Sequence, residues 1–95
     1  KSGCVCVTRR TGKLAGIFTD GDLRRHMAQS GDSTLDQPLA KVMTCKPTTL
    51  KETALAVEAL KIFNTRKIDD LIVVNTQREP VGLIDSQDLP KLKLA

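Results

Sequence analysis

Sliding the chain by 66 positions without a gap lays its opening segment over its closing one. Lys1 meets Lys67, Val7 meets Val73, Gly16 meets Gly82, Asp22 meets Asp88 and Leu23 meets Leu89. Val5/Leu71, Ile17/Leu83 and Phe18/Ile84 are conservative matches. The shared pattern is a strand, a polar turn, a strand carrying Gly, then a helix start ending in Asp-Leu. A repeat of this length is one supersecondary unit, and a unit this small cannot cover its own sheet, so two should pack together.

Local signals agree with that reading. Cys4-Val5-Cys6-Val7-Thr8 and Lys13–Thr19 are β-rich runs around the polar turn Arg9-Arg10-Thr11-Gly12, which predicts a hairpin. Thr19 or Asp20 can cap a helix that carries Asp22 in its first turn, where a carboxylate suits the positive dipole end. Leu39–Thr44 predicts a short helical turn ended by Pro47. Thr49-Leu50-Lys51-Glu52 fits the capping-box pattern ahead of the apolar positions Leu55, Ala56, Ala59, Leu60, Ile62 and Phe63, which predicts a helix over 51–64. Leu71–Val74 and Pro80–Ile84 predict a second hairpin, and Asp85–Leu92 a last helix. The second repeat therefore holds a strand and helix ahead of its hairpin that the first has no room for. The chain opens without Met and in mid-pattern, and is expected to be part of a longer protein.

At 95 residues and 10.4 kDa there is one modest core at most, which excludes an enzyme with separate cofactor and substrate domains. Aromatics are 2%, too few for a stacking platform on single-stranded nucleic acid. No apolar run approaches the ~20 residues of a membrane helix. The net charge of +4 resides in residues 1–47, while residues 48–95 balance, so an anionic partner suits the first half. Cys4, Cys6 and Cys45 make neither a disulfide framework nor a zinc set, and are expected as buried reduced thiols of a cytoplasmic protein. His26 has no Ser or Cys partner at a diagnostic spacing, and no nucleophile elbow, P-loop or dinucleotide glycine motif is present. No catalytic residue, metal or resident cofactor is expected in this chain.

The pattern resembles the CBS domain pair, most strongly in Gly16-Ile17-Phe18-Thr19-Asp20-Gly21-Asp22-Leu23-Arg24-Arg25. More narrowly it looks like the C-terminal regulatory region of the D-arabinose 5-phosphate isomerases. Gly3-Cys4, Val42-Met43-Thr44 with Pro47, Glu58-Ala59-Leu60, and Lys67-Ile68 with Leu71 also fit. The resemblance implies a mixed α/β (α+β) fold of two β-α-β-β-α units, the first truncated at its N-terminus: residues 1–28 the end of the first CBS motif, 29–47 a linker, 48–95 the second motif. It implies a regulatory nucleotide- or nucleotide-sugar-binding module of an aldose-ketose isomerase serving the Kdo/lipopolysaccharide precursor pathway. It also implies roles for Thr19 and Asp22 toward an adenosine nucleotide.

The residues themselves allow that role. Thr19-Asp20-Gly21-Asp22 lies where a strand hands over to a helix, and unpaired amides there favour an anion. The Thr19 hydroxyl can bond a phosphate oxygen, Gly21 keeps the backbone clear, and Asp22 can accept from vicinal ribose hydroxyls. Gly3, Cys4 and Val5 can supply a base pocket, and Arg24 a cation for the phosphate. Equally, Thr, Asp and Gly are ordinary capping residues. In the counterpart Asp85-Ser86-Gln87-Asp88 a carboxylate replaces Thr, which repels phosphate, and Pro90 disturbs the helix start. The second site is therefore expected to be degenerate. An AMP-like nucleotide or a CMP-sugar is the effector expected, and a homodimer is expected through apolar helix faces bearing Leu23, Met27, Leu89 and Leu92. The competing readings are a purely structural oligomerisation module, and a CBS pair regulating another enzyme or a transporter.

Overall fold

A computed structural model describes residues 3–89. The chain divides into two compact units, Gly3–Pro47 and Thr48 onward.

In the first unit, β1 (Cys4–Thr8) and β2 (Leu14–Thr19) form the expected hairpin. Helix α1 (Asp20–Ser30) follows at once and ends at Gly31, whose φ of 61° needs a residue without Cβ. The stretch read as a linker is not bare chain. It carries a 3-10 helix (Gly31–Asp36), the short α2 (Leu39–Val42) and β3 (Thr44–Cys45). Strand β3 pairs antiparallel with β2, Cys45 opposite Gly16 and Thr44 opposite Ile17, giving the order β1-β2-β3. A Cβ on Gly16 would lie 2.6 Å from the Thr44 carbonyl oxygen, so this glycine lets β3 and Met43 close on the sheet. Leu14, Ile17 and Val42 are the buried apolar residues of this unit. The buried-thiol expectation does not hold throughout: Cys45 is exposed, while Cys4 and Cys6 are half-buried.

The second unit runs β4 (Thr49–Lys51), α3 (Ala56–Thr65), β5 (Asp70–Val74) and β6 (Pro80–Asp85), then one 3-10 turn, Ser86–Asp88. β4 pairs parallel with β5 across the α3 crossover, and β6 pairs antiparallel with β5. Helix α3 starts later than expected. Thr49 is drawn into the sheet opposite Ile72, and the cap forms at Leu55, whose N–H donates to the Glu58 carboxylate at 3.0 Å. Leu71 and Ile72 face opposite sides of β5 and are both 0% exposed, so both faces of that strand are covered.

The repeat holds residue by residue. Cys4 opposite Thr19 becomes Asp70 opposite Asp85, Val5 opposite Phe18 becomes Leu71 opposite Ile84, and the irregularity after Val7 recurs after Val73. The turns match as well. Arg9 N–H to Lys13 carbonyl and Gly12 N–H to Arg9 carbonyl become Asn75 to Glu79 and Arg78 to Asn75. The left-handed position is Gly12 in one turn (φ 89°) and Arg78 in the other (φ 63°). Leu89 is extended (φ −104°, ψ 143°), as the residue before Pro90 must tend to be, which explains why no α-helix starts at Ser86. The rest of the helix expected over 85–92, Leu92 included, lies outside the described residues.

Candidate functional site

Strand β2 delivers Thr19 to the start of α1 in extended conformation (φ −117°, ψ 164°), where it becomes the N-cap. Its hydroxyl oxygen accepts from the Asp22 N–H at 3.0 Å, and Asp22 Oδ2 accepts from the Thr19 N–H at 3.0 Å, a reciprocal capping box. The Asp20 N–H donates to the Gly3 carbonyl at 2.7 Å. Three of the four amides that a helix N-terminus leaves without intrahelical partners are therefore satisfied by the chain itself. The fourth belongs to Gly21, which is exposed and has no partner among the described residues. The Thr19 hydroxyl, whose oxygen accepts from the Asp22 N–H, also lies beside the Asp22 carboxylate.

Most of the expected site residues come together here. Cys4 is the register partner of Thr19, and Gly3 lies against Asp20, whose carboxylate leaves no room for a Cβ there. Val5 is 59% exposed at the strand opening. Arg24 is exposed one turn into α1. Asp22 is placed differently from the expectation of an open acceptor. It is 3% exposed, and its Oδ1 accepts from Arg25 Nη2 at 2.6 Å and from the Thr44 hydroxyl at 3.0 Å. Burial pushes the Asp22 carboxyl up, but the Arg25 guanidinium, the Thr19 N–H and the Thr44 and Thr19 hydroxyls outweigh it, leaving the group below its ordinary value. Arg25, not Arg24, is thus the cation committed to this carboxylate. Thr44 is the residue that sequence reasoning missed. It lies twenty-two positions from Asp22, and only the pairing of β3 with β2 brings it near.

The second unit presents another arrangement. Asp85 is 7% exposed, and its Oδ1 accepts from the Gln87 N–H at 2.9 Å. The Ser86 N–H donates to the Asp69 carbonyl at 2.8 Å, the counterpart of Asp20 to Gly3. An open cleft of about 510 Å³ lies here, with Phe63, Arg66, Lys67, Ile68, Asp69 and Ser86 on its walls. Leu71 and Ile72 at the opening of β5 are core residues. Among the described residues no group of three or more His, Cys, Asp and Glu is placed to hold a metal, and no helix is long and apolar enough to cross a membrane.

The CBS domain family matches residues 39–93, more than half of the chain. The chain belongs to the CBS domain family. Its match starts at Leu39, ahead of the break between the two compact units after Pro47. The chain is 46% identical over 90 residues to the arabinose 5-phosphate isomerase KdsD of Pseudomonas aeruginosa, covering 92% of this chain and 26% of that protein. It is 40% identical over 86 residues to KpsF of Escherichia coli O6:H1, an arabinose 5-phosphate isomerase, covering 87% of this chain and 26% of that protein. It thus spans about a quarter of the length of these curated relatives. The fold is similar to a CBS domain protein of Pyrobaculum aerophilum complexed with AMP, with a TM-score of 0.80 and 26% identity, covering 96% of this chain and 69% of that one.

Proposed function

We propose that this chain is the regulatory ligand-binding module of an arabinose 5-phosphate isomerase, and that a nucleoside phosphate binds at Thr19–Asp22. The observation that carries this reading is the first turn of α1. Gly21 N–H is exposed at the positive end of a helix, next to the Thr19 hydroxyl, with exposed Arg24 nearby in sequence. Gly3, Cys4 and Val5 at the strand opening would take the base, and Asp20 and Asp22 complete the set. Relatives that are isomerases and a fold neighbour solved with AMP support the class of ligand. In this reading the effector is an AMP-like nucleotide or a CMP-sugar of the Kdo branch of lipopolysaccharide synthesis. The attached isomerase domain converts D-ribulose 5-phosphate to D-arabinose 5-phosphate in the cytoplasm, and the protein is a homo-oligomer. The divisions 1–28, 29–47 and 48–95 remain the proposed motif boundaries.

Thermal shift with AMP, ATP, CMP and CMP-Kdo tests the reading, since a ligand at 100 times its dissociation constant stabilises by about 2.7 kcal/mol. Calorimetry then locates the site. Asp22→Ala should weaken binding at least tenfold, because a hydrogen bond to a charged group contributes ~1.5–3 kcal/mol. Asp88→Ala should leave it within about twofold. Equal losses would move the ligand to the second unit. A second reading, a structural oligomerisation module, is favoured by one observation: Asp22 is already enclosed by its own chain. No stabilisation by any of the four ligands would decide for it.

A further inference from the structure

Asp22 has more calls on its carboxylate than a ligand contact allows. A carboxylate offers about four lone-pair positions. Oδ1 accepts two bonds, from Arg25 and Thr44, and Oδ2 accepts one, from Thr19 N–H. The Thr19 hydroxyl also lies beside this carboxylate, so at most one position remains, whereas two vicinal hydroxyls need two. A ligand held through both must therefore displace at least one resident donor. Thr19 N–H is fixed by the capping box, and Arg25 brings a full positive charge at 2.6 Å, so each is held more firmly than a neutral hydroxyl. Thr44 donates from an exposed position on a two-residue edge strand, at 3.0 Å. It is the donor that yields.

We propose that the Asp22–Thr44 hydrogen bond is a latch, closed in the empty module and opened when a ligand diol takes the second position on Asp22. This rests on the reading of Thr19–Asp22 as a nucleotide site and names its regulation. The latch fastens the helix start to β3, twenty-two residues away, and β3 leads through Lys46 and Pro47 to Thr48, where the second compact unit begins. Opening it loosens the segment that joins the two units along the chain. Occupancy is thereby reported at residues 43–48, outside the strand-opening and helix-start residues that hold the ligand. Thr44 is a positioning residue here. It sets how often Asp22 is ready, and a binding-competent fraction below one lowers apparent affinity by that fraction.

The experiment uses AMP as probe and hydrogen exchange with calorimetry as readouts, on the parent and on Thr44→Val and Thr44→Ser. Saturating AMP should speed exchange at residues 43–48 of the parent. Thr44→Val keeps the shape and removes the donor. It should exchange fast there without AMP, show no further change with AMP, and bind AMP about threefold or more tightly. Thr44→Ser restores the donor and should behave as the parent. AMP binding to the parent with exchange at 43–48 unchanged or slowed, or Thr44→Val binding with parental or lower affinity, overturns the latch and leaves the nucleotide site standing. No AMP binding to the parent, with Asp22→Ala equally inert, overturns the site and the latch together.

Discussion

The two hairpins share register, turn and irregularity, yet among the described residues only the first hands over to an α-helix. Residue 19 is Thr, caps eleven residues of α1 and brings a hydroxyl that carries no charge. Its counterpart is Asp85, which accepts from Gln87 N–H and opens a single 3-10 turn before an extended Leu89. The backbone path up to that point is the same, so the divergence comes from side-chain chemistry at the motif and from Pro90 just past it. A repeat conserves a frame more tightly than a function. The strand pairing needs only apolar residues in alternation, whereas an anion site needs a specific donor at a specific position.

The equivalent pair Val5 and Leu71 should separate the units most sharply. Leu71 is 0% exposed and Val5 is 59% exposed. Leu71→Ala should destabilise by about 2–5 kcal/mol, and Val5→Ala by no more than about 0.5 kcal/mol. Urea melts of both variants check this, and similar losses would mean that Val5 is covered in solution.

Next come the paired glycines. Ala at position 16 puts its Cβ 2.6 Å from the Thr44 carbonyl oxygen and 2.9 Å from Met43 Sδ, while at position 82 the nearest atom, Val73 Cβ, is 3.6 Å away. Gly16→Ala should cost about 1–3 kcal/mol; Gly82→Ala should be neutral or gain up to about 1 kcal/mol. A neutral Gly16→Ala would argue that β3 does not close on β2.

A smaller contrast tests the turns. Gly12→Ala, at φ 89°, should lose about 1 kcal/mol, and Arg78→Gly, at φ 63°, should gain a few tenths. Opposite signs in thermal melts are the expected outcome; equal signs would show that the turns are not equivalent.

The smallest effect is in pH. The Asp22 carboxyl titrates below its ordinary 3.8. Its stabilising contribution is therefore complete above that unfolded value and is lost as pH falls through the lower folded one. Asp22→Asn should flatten the acid limb of the stability curve below about pH 4 and leave its slope near neutrality unchanged. An unaltered acid limb would place the Arg25 and Thr44 contacts elsewhere in solution.

Much of this was legible in the sequence because it is local. The 66-residue repeat located both hairpins, and of the two capping candidates, Thr19 and Asp20, Thr19 is the N-cap, in a capping box with Asp22. What escaped depends on distant partners. Thr49-Leu50-Lys51-Glu52 carries a capping pattern, but Thr49 is drawn into a strand by Ile72. Thr44 and Cys45 show no strand periodicity, since two residues have none to show. The cleft in the second unit is lined by the end of α3, the loop after it and Ser86, a juxtaposition that no spacing along the chain announces.

The third strand of each sheet also differs from the other two in when it can form. Hairpin partners are as close as six residues, Thr8 with Leu14 and Val74 with Pro80. Thr49 and Ile72 are twenty-three apart, and Gly16 and Cys45 twenty-nine. Contacts that close long loops carry the larger entropic burden and tend to form late. β3 and β4 should therefore be the last strands to dock during refolding and the first to open in native-state fluctuations. The order of assembly thus places the chain's most easily detached strands on either side of Pro47, where one unit gives way to the next.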